Sequence, residues 1–206
     1  MLETFKNAWR IEDLRKKILY TLIMLLIYRI GTSFIPIAGM DVAAIKQTVE
    51  GSDILGFLNM ITGGSLAGFT IFAVGISPYI TSSIVMQLLT FAIPALERMS
   101  KEGGEEGREK IKRITRYVGV LLALIMSIGM VMSLRSYMIT TDLLSKITMI
   151  LTLTAGACIV MWMGEKITEK GIGNGVSLII FVGIVARLPV TVWSFLQNIF
   201  AGEVNA

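Results

Sequence analysis

Three groups of residues in this chain have types and spacings that could do chemistry: a glycine-rich turn, a cluster of carboxylates and a single cysteine. The turn, Gly171-Ile-Gly-Asn-Gly175, could cradle a phosphate if it led from a strand into a helix. Its Gly-x-Gly-x-Gly spacing differs from the dinucleotide fingerprint Gly-x-Gly-x-x-Gly, and an apolar helical stretch precedes it. We interpret it as a tight turn whose glycines permit positive φ, and which would line a cavity if it lay inside the protein.

The remaining candidates give no catalytic constellation. The chain has no His, which removes His-activated nucleophiles and the commonest zinc ligand, and no Asp or Glu lies inside an apolar stretch. The lone Cys158 can form no intrachain disulfide and is expected to be a buried small hydrophobe. The glutamates of segment 97–116 alternate with seven Lys and Arg and predict a solvated cytoplasmic loop. We expect no enzymatic activity, no cofactor and no metal.

The elements that carry these residues are predicted to be membrane helices. Hydrophobic residues make up 54% of the 206 and charged residues 17%, against roughly 45–50% apolar residues in soluble domains. A spanning helix needs about 20 apolar residues. The sequence therefore predicts an all-α integral membrane protein with five transmembrane helices, at about 18–38, 69–96, 117–134, 147–164 and 176–200.

The distribution of Lys and Arg predicts the orientation. Fourteen lie in the amphipathic segment 1–17, in 97–116 and near 165–170, while five lie on the other side. The positive-inside rule places the N-terminus in the cytoplasm and, with five spans, the C-terminus outside. Segment 1–17 is amphipathic and charged, and Arg29 interrupts the first apolar stretch with no cleavage pattern nearby, so this stretch is not predicted to be a cleaved signal peptide. Lipid headgroups, and not nucleic acid, explain the net charge of +4.

Arg29 and Arg187 are the charges within hydrophobic stretches. Arg29 lies 12 residues after Lys17, which is about 18 Å along a helix. Snorkelling towards the outer headgroups is the expected behaviour of both arginines, with a structural ion pair as the alternative.

The stretch from Ile54 to Leu96 holds 43 residues without a charge. It is too long for one span, yet no polar loop divides it, so part of it is predicted to enter the membrane without crossing. A short helix over Ile54–Ile61 is expected, capped by Ser52 or Asp53 and followed by two glycines. A longer helix is then predicted from residue 65 or 69 to about 89, with a kink at Pro78.

Two pairs of branched apolar residues flank this polar and glycine-rich backbone. Ile76 and Ile80 stand at i and i+4, and Val176 and Ile180 repeat that spacing after the glycine turn. A ring of such side chains between two wet vestibules can block ions by dewetting. The pattern predicts a hydrophobic constriction.

Four motifs in this order resemble the SecY family of protein-conducting channels. They are Arg29–Gly39, Gly75–Leu89, Gly107–Tyr117 and Trp162–Gly175. The resemblance covers essentially the whole chain but only the first half of the family's pattern, which continues for another five spans. It implies one inverted-repeat half of the SecY channel fold, five transmembrane helices plus a short re-entrant plug helix.

The resemblance also implies roles for particular residues. The plug would be Ile54, Leu55, Gly56, Phe57, Leu58, Asn59, Met60, Ile61, Thr62, Gly63 and Gly64. This half's share of the pore ring would be Ile76, Ile80, Val176 and Ile180, with Val176 departing from the commoner isoleucine. One wall of the lateral gate would carry Ser77, Pro78, Thr81 and Gln87.

The half-length pattern predicts a need for partners. A C-terminal SecY half or a second copy of the chain would complete the ring, and SecE, SecG, and SecA or the ribosome would join it. Translocating polypeptides, signal sequences and membrane lipid are the implied ligands, in a bacterial inner membrane. An antiparallel homodimer would imitate the inverted repeat, although the charge bias opposes it in a cell.

Two further interpretations stay open. The chain could be a membrane scaffold or assembly half that has no transport activity alone. It could also be half of a secondary transporter, but such sites normally carry intramembrane carboxylates, and the apolar stretches contain none.

Overall fold

The computed structural model describes residues 11–200, apart from the side chains at 187, 190, 191 and 194–200. The interpretations of Arg187 and of residues 1–10 therefore lie outside the described part. Within it the chain forms α-helices and one short 3-10 turn, Arg135–Tyr137. The helices are α1 (Glu12–Phe34), α2 (Val42–Glu50), α3 (Asp53–Ile61), α4 (Ser77–Ala92), α5 (Pro94–Lys101), α6 (Gly104–Ser133), α7 (Leu143–Lys170) and α8 (Gly175–Phe200).

The all-α class predicted from the sequence is confirmed, and several helices suit a membrane. Three of them, α1, α6 and α7, are long and apolar enough to cross a bilayer. The pair α4 and α5 also qualifies if taken as one span, although the two helices meet at a bend of 100°. The apolar part of α8 found among the described residues, Gly175–Ala186, is shorter than a span. The count of five spans stays a prediction.

The charged segment 97–116 is helical, so its interpretation as a loop is wrong. It forms the end of α5 and the first turns of α6 around a tight elbow at Gly103 and Gly104. Glu and Lys alternate there at helical spacing, and Lys101 Nζ lies 2.6 Å from Glu97 Oε1. Such i,i+4 pairs stabilise a helix on its exposed face. A mixed charge run is equally compatible with loop and helix, and here it is helix.

The predicted helix from residue 65 or 69 is also wrong in its start and in its kink. Residues 62–76 form consecutive turns, and α4 begins only at Ser77. Pro78 occupies the first turn of α4, where its missing N–H needs no partner and its fixed φ suits the helix. The sharp bend comes later, where Pro94 opens α5. Hydropathy alone does not separate apolar turns from an apolar helix.

The backbone N–H and C=O groups of this irregular segment find hydrogen-bond partners in the chain that follows α1 and in the segment's own side chains. The N–H of Ile37 donates to the carbonyl oxygen of Phe69 at 2.9 Å, and the N–H of Ile71 donates to Ile35 at 3.1 Å. The hydroxyl of Ser65 lies 2.9 Å from the carbonyl oxygen of Phe72. Non-helical backbone at membrane depth requires such partners. The chain after α1 therefore supports the segment that follows α3.

The segment 62–76 also packs closely against α1 and α7. A Cβ placed on Gly156 of α7 would overlap the carbonyl oxygen of Ile71, so the two backbones are in direct contact. On the other side the rings of Tyr28 and Phe72 stack with centroids 5.8 Å apart. Both rings are buried. These contacts fix the position from which α4 starts.

Candidate functional site

The two predicted apolar pairs meet in the structure, although 96 positions separate them in the sequence. Ile76 and Ile80 at the start of α4, and Val176 and Ile180 at the start of α8, belong to one apolar cluster. A Cβ placed on Gly164 of α7 would lie 3.3 Å from Ile76 Cδ1 and 3.4 Å from Val176 Cγ2. The small residue lets the two helix starts converge there.

The four side chains differ in exposure. Ile76 is only 6% exposed and packs with Ile179, which is fully buried. Ile80, Val176 and Ile180 are half-buried, so each keeps part of its surface open. Sequence spacing treated the four as equivalent. The structure makes Ile76 the packed base of the group and the other three its open face.

The glycine turn is held on three sides by polar side chains. The N–H of Ile172 donates to Thr21 Oγ1 of α1 at 3.1 Å, and the N–H of Gly175 donates to Thr168 Oγ1 of α7 at 2.9 Å. Asn174 Oδ1 accepts from the N–H groups of Val176 and Ser177, which makes Asn174 the N-cap of α8. These bonds fix the direction in which α8 leaves the turn.

The glycines of the turn act as predicted in two respects. Gly173 has a φ of +69°, and a Cβ placed on Gly175 would overlap the carbonyl oxygen of Gly164. Asn174 lines a cavity, but residues 172–174 are exposed, so the turn lies at the surface of the described chain and not inside it.

We expect replacement of Asn174 by alanine to destabilise the start of α8. Two N–H groups would lose their acceptor, at a cost of about 1 kcal/mol. Replacement by serine keeps a capping oxygen and should cost little. Thermal unfolding of the purified chain in detergent compares the two variants with the parent. Equal destabilisation by alanine and serine would contradict the capping role.

A cavity of about 270 Å³ lies beside the apolar group and combines apolar and charged walls. Its lining residues are Tyr79, Ile80, Ser83, Ile84, Lys112, Arg116, Glu165, Thr168, Glu169, Asn174 and Val176. The side chain of Glu165 is 14% exposed and accepts from Arg116 Nη2 at 2.5 Å and from Nε at 3.4 Å. This fork-like pair joins α6 to α7.

The charged wall contains a second ion pair near the end of α7. Lys166 Nζ lies 2.7 Å from Glu169 Oε2, and this hydrogen bond lowers the pKa of the Glu169 carboxyl. Both residues lie beyond the predicted span 147–164. Among the described residues no group of three or more Asp, Glu, Cys or His side chains could hold a metal ion. The cavity thus places charged side chains beside two of the branched apolar residues, Ile80 and Val176.

The predicted plug segment contains α3, which starts at Asp53 and ends at Ile61. Ser52 stands at the N-cap position, but its side chain makes no capping hydrogen bond, and neither does that of Asp53. Ile54 and Phe57 are 75% and 62% exposed, so α3 turns an apolar face away from the described chain. Asn59 is buried instead, and its Oδ1 accepts from the N–H of Ala67 at 2.9 Å.

The four predicted gate residues fall in different surroundings along α4. Pro78 is buried and Thr81 half-buried. Ser77 borders an apolar groove of about 460 Å³ between α3, α4 and α6. Gln87 is exposed and lines a smaller polar pocket near Ser100, on α5. They share a helix, and the structure does not gather them into one cluster.

Two other interpretations from the sequence need correction. Arg29 does not snorkel, because its Nη1 donates to the carbonyl oxygen of Gly63 at 2.7 Å. Cys158 is half-buried, where a fully buried residue was expected. Sequence reasoning also missed the Arg116–Glu165 pair, whose members are 49 positions apart. Nothing in the spacing of these residues predicts that they meet.

The fold and the site define the class of this protein. Its long apolar helices pack around an irregular apolar segment, which is the architecture of a multi-pass, all-α membrane protein. The sequence profile of the SecY family matches residues 70–205, more than half of the chain. The chain therefore belongs to the SecY family.

Individual relatives agree with this assignment. Proteins named protein translocase subunit SecY from Streptomyces scabiei, Guillardia theta and Staphylococcus carnosus are 45%, 46% and 42% identical to the chain. The matches cover 96%, 91% and 98% of this chain, and 48%, 44% and 48% of those proteins. The chain thus spans about half the length of the curated relatives it matches.

Two solved structures show the same fold. One is described as a protein conducting channel and the other as Sec61 in the canine ribosome-channel complex from the endoplasmic reticulum. Each matches with a TM-score of 0.68 at 21% identity, over 93% of this chain. The match covers 42% and 43% of those chains. At this identity the likeness concerns the fold alone.

Proposed function

We propose that this chain forms the N-terminal half of a protein-conducting channel that lets unfolded polypeptides cross or enter the membrane. The observation that carries the proposal is the meeting of Ile76, Ile80, Val176 and Ile180 beside a charged cavity. Ile80, Val176 and Ile180 are only half-buried. Partial exposure is expected if the rest of the ring is supplied by a partner. The relatives named protein translocase subunits support the same function.

In this proposal α3 and the glycines after it form the plug, residues 54–64. The exposed apolar face of α3 suits a helix that seals an outer vestibule. The start of α4, from Ser77 to Thr81, and Gln87 near its end would form one wall of a lateral gate. The branched apolar ring would grip a translocating chain and exclude ions when empty.

The proposed setting is a bacterial inner membrane with the N-terminus in the cytoplasm and the C-terminus outside. The charged ends of α5, α6 and α7 carry most of the Lys and Arg outside residues 1–17, which supports this orientation. A C-terminal SecY half, SecE, SecG, and SecA or the ribosome are the proposed partners. A second copy of the chain is the alternative way to close the ring.

Complementation tests the proposal directly. The chain is co-expressed with the C-terminal half of a SecY relative in cells depleted of their own SecY, and export of a secreted preprotein is measured. We expect export to recover with both halves and to stay absent with either half alone. Stable membrane expression of both halves without export would favour the alternative function, a scaffold or assembly half.

The matched control for this experiment is a variant that leaves the proposed pore untouched. Leu121 on α6 is 58% exposed and lines neither the charged cavity nor the apolar groove, so Leu121→Val should export as well as the parent. Loss of export in this variant would show that the assay reports folding and not the channel.

A further inference from the structure

Arg29 makes a contact that the proposed pore does not use. Its guanidinium is half-buried on α1, and Nη1 donates to the carbonyl oxygen of Gly63 at 2.7 Å. The ion pairs of the described residues do not include Arg29. A charge inside a membrane segment is costly and is normally partnered, and here a backbone carbonyl supplies the partner.

Gly63 stands at the hinge between α3 and the irregular segment. Its φ of +66° places it in the left-handed region. Its N–H donates to Met60 and the N–H of Gly64 donates to Asn59, which together form a Schellman motif at the end of α3. The carbonyl of Gly63 follows directly after this motif, at the negative end of the helix dipole. A cation is favoured at this position.

The hinge is also enclosed from the opposite side. A Cβ placed on Gly63 would lie 3.1 Å from Gly183 Cα of α8, and one placed on Gly183 would lie 2.9 Å from the carbonyl oxygen of Ile61. The hinge is therefore held between the backbone of α8 and the guanidinium of Arg29. The contact with α8 is only close packing, whereas the contact with α1 is a charge-assisted hydrogen bond.

The other side-chain hydrogen bonds of α3 and its hinge reach no further than the irregular segment 62–76. Asn59 bonds to Ala67, and the Thr62 hydroxyl bonds to Asn59. The Thr62 bond can move with α3, whereas the Asn59 bond joins α3 to the irregular segment that packs against α1 and α7. Among the described side chains, Arg29 alone hydrogen-bonds residues 53–64 to a different helix.

We propose that Arg29 is a positioning residue that latches the hinge of α3 to α1. Movement of α3 out of its seat breaks the bond to Gly63 and leaves the guanidinium unpaired, which opposes the movement. Only one consequence of the latch rests on the proposed function: in a channel, release of α3 from Arg29 would open the seal. The latch itself is a statement about the opening of α3 and can be measured without transport.

Hydrogen exchange tests the latch on the chain in lipid nanodiscs. Amides of residues 53–64 are followed by mass spectrometry in the parent, in Arg29→Met and in Arg29→Lys, with Arg135→Met on the exposed 3-10 turn as the matched control. Loss of a hydrogen bond to a charged group corresponds to a roughly 10- to 100-fold rise in the opening equilibrium. We expect exchange in this segment to accelerate by that factor in Arg29→Met, less in Arg29→Lys, and not in Arg135→Met.

Two exchange results would overturn the proposal. One is that amides of residues 53–64 exchange in Arg29→Met at the same rate as in the parent. The other is equal acceleration in the cores of α6 and α7, which would mean that Arg29 only stabilises the fold. If Arg29→Met does not fold, Arg29→Lys decides, because its shorter reach must still accelerate exchange selectively in α3.

A second measurement separates the latch from the proposed function. The chain and a C-terminal SecY half are reconstituted together, and the ion conductance of the resting channel is recorded. If Arg29→Met shows faster exchange only in α3 and also a higher conductance than the parent, both the latch and the plug are supported. If Arg29→Met shows faster exchange only in α3 but the conductance of the parent, the latch is supported and the role of α3 as a seal is refuted.

Discussion

Replacement of Gly156 by alanine is expected to prevent α7 from packing against the irregular segment. The added Cβ would overlap the carbonyl oxygen of Ile71, which is backbone and cannot rotate away. Overpacking costs typically 1–3 kcal/mol, and we expect about 3 kcal/mol or more here because backbone must move. At about 2–4 °C per kcal/mol, the thermal midpoint in detergent should fall by at least about 6 °C.

Gly129→Ala on α6 is the control for this prediction. Both glycines lie inside long helices, but a Cβ on Gly129 would meet no atom within 4 Å. Alanine is the better helix former by up to about 1 kcal/mol, so this variant should be neutral or slightly stabilised. If Gly156→Ala unfolded at the same temperature as Gly129→Ala, the close contact between α7 and Ile71 would be refuted.

Replacement of Ile80 by serine is expected to make the resting channel leak ions. The side chain is half-buried and lines the charged cavity, so in the proposed channel its apolar surface would help to keep the constriction dry. Removing it lowers the cost of wetting by up to about 1.5 kcal/mol. A difference of about 1.4 kcal/mol is tenfold in an equilibrium, so we expect roughly tenfold more current through the reconstituted two-half channel. Planar-bilayer recording measures this current.

Ile76→Ser distinguishes the packed base of the group from its open face. Ile76 is buried against Gly164 and Ile179. Its replacement should therefore lower the thermal midpoint and also raise the resting ion current. Ile80→Ser should change the current with little loss of stability. Unchanged resting current in Ile80→Ser, Val176→Ser and Ile180→Ser would remove these residues from the proposed ring.

The sequence predicted the long apolar helices because hydropathy depends on composition alone. It did not predict where α4 starts, since residues 62–76 are as apolar as a helix and only their hydrogen bonds to Ile35 and Ile37 distinguish them. The charge run 97–116 does not by itself distinguish a solvated loop from an exposed helix, and it is the i,i+4 pairs on α6 that favour the helix.

The site was predictable in its members but not in its contacts. The i,i+4 spacing identified Ile76 with Ile80 and Val176 with Ile180, and only the family resemblance indicated that the pairs meet. Gly164 lets the two pairs approach each other, but nothing in the sequence around it predicts this role. The sequence indicates only the depth of Arg29 along α1, and its partner Gly63 lies 34 positions away, so no local pattern predicts their hydrogen bond.

The long helix α6 has a mechanical consequence. Its 30 residues span about 45 Å, roughly 15 Å more than the hydrocarbon core, so a bilayer that covers its apolar part would leave the charged N-terminal turns outside. Ser82 of α4 is fully buried, and a Cβ placed on Gly119 of α6 would lie 3.2 Å from its hydroxyl. The same helix that reaches out to the elbow between α5 and α6 therefore packs directly against α4, two residues after Ile80.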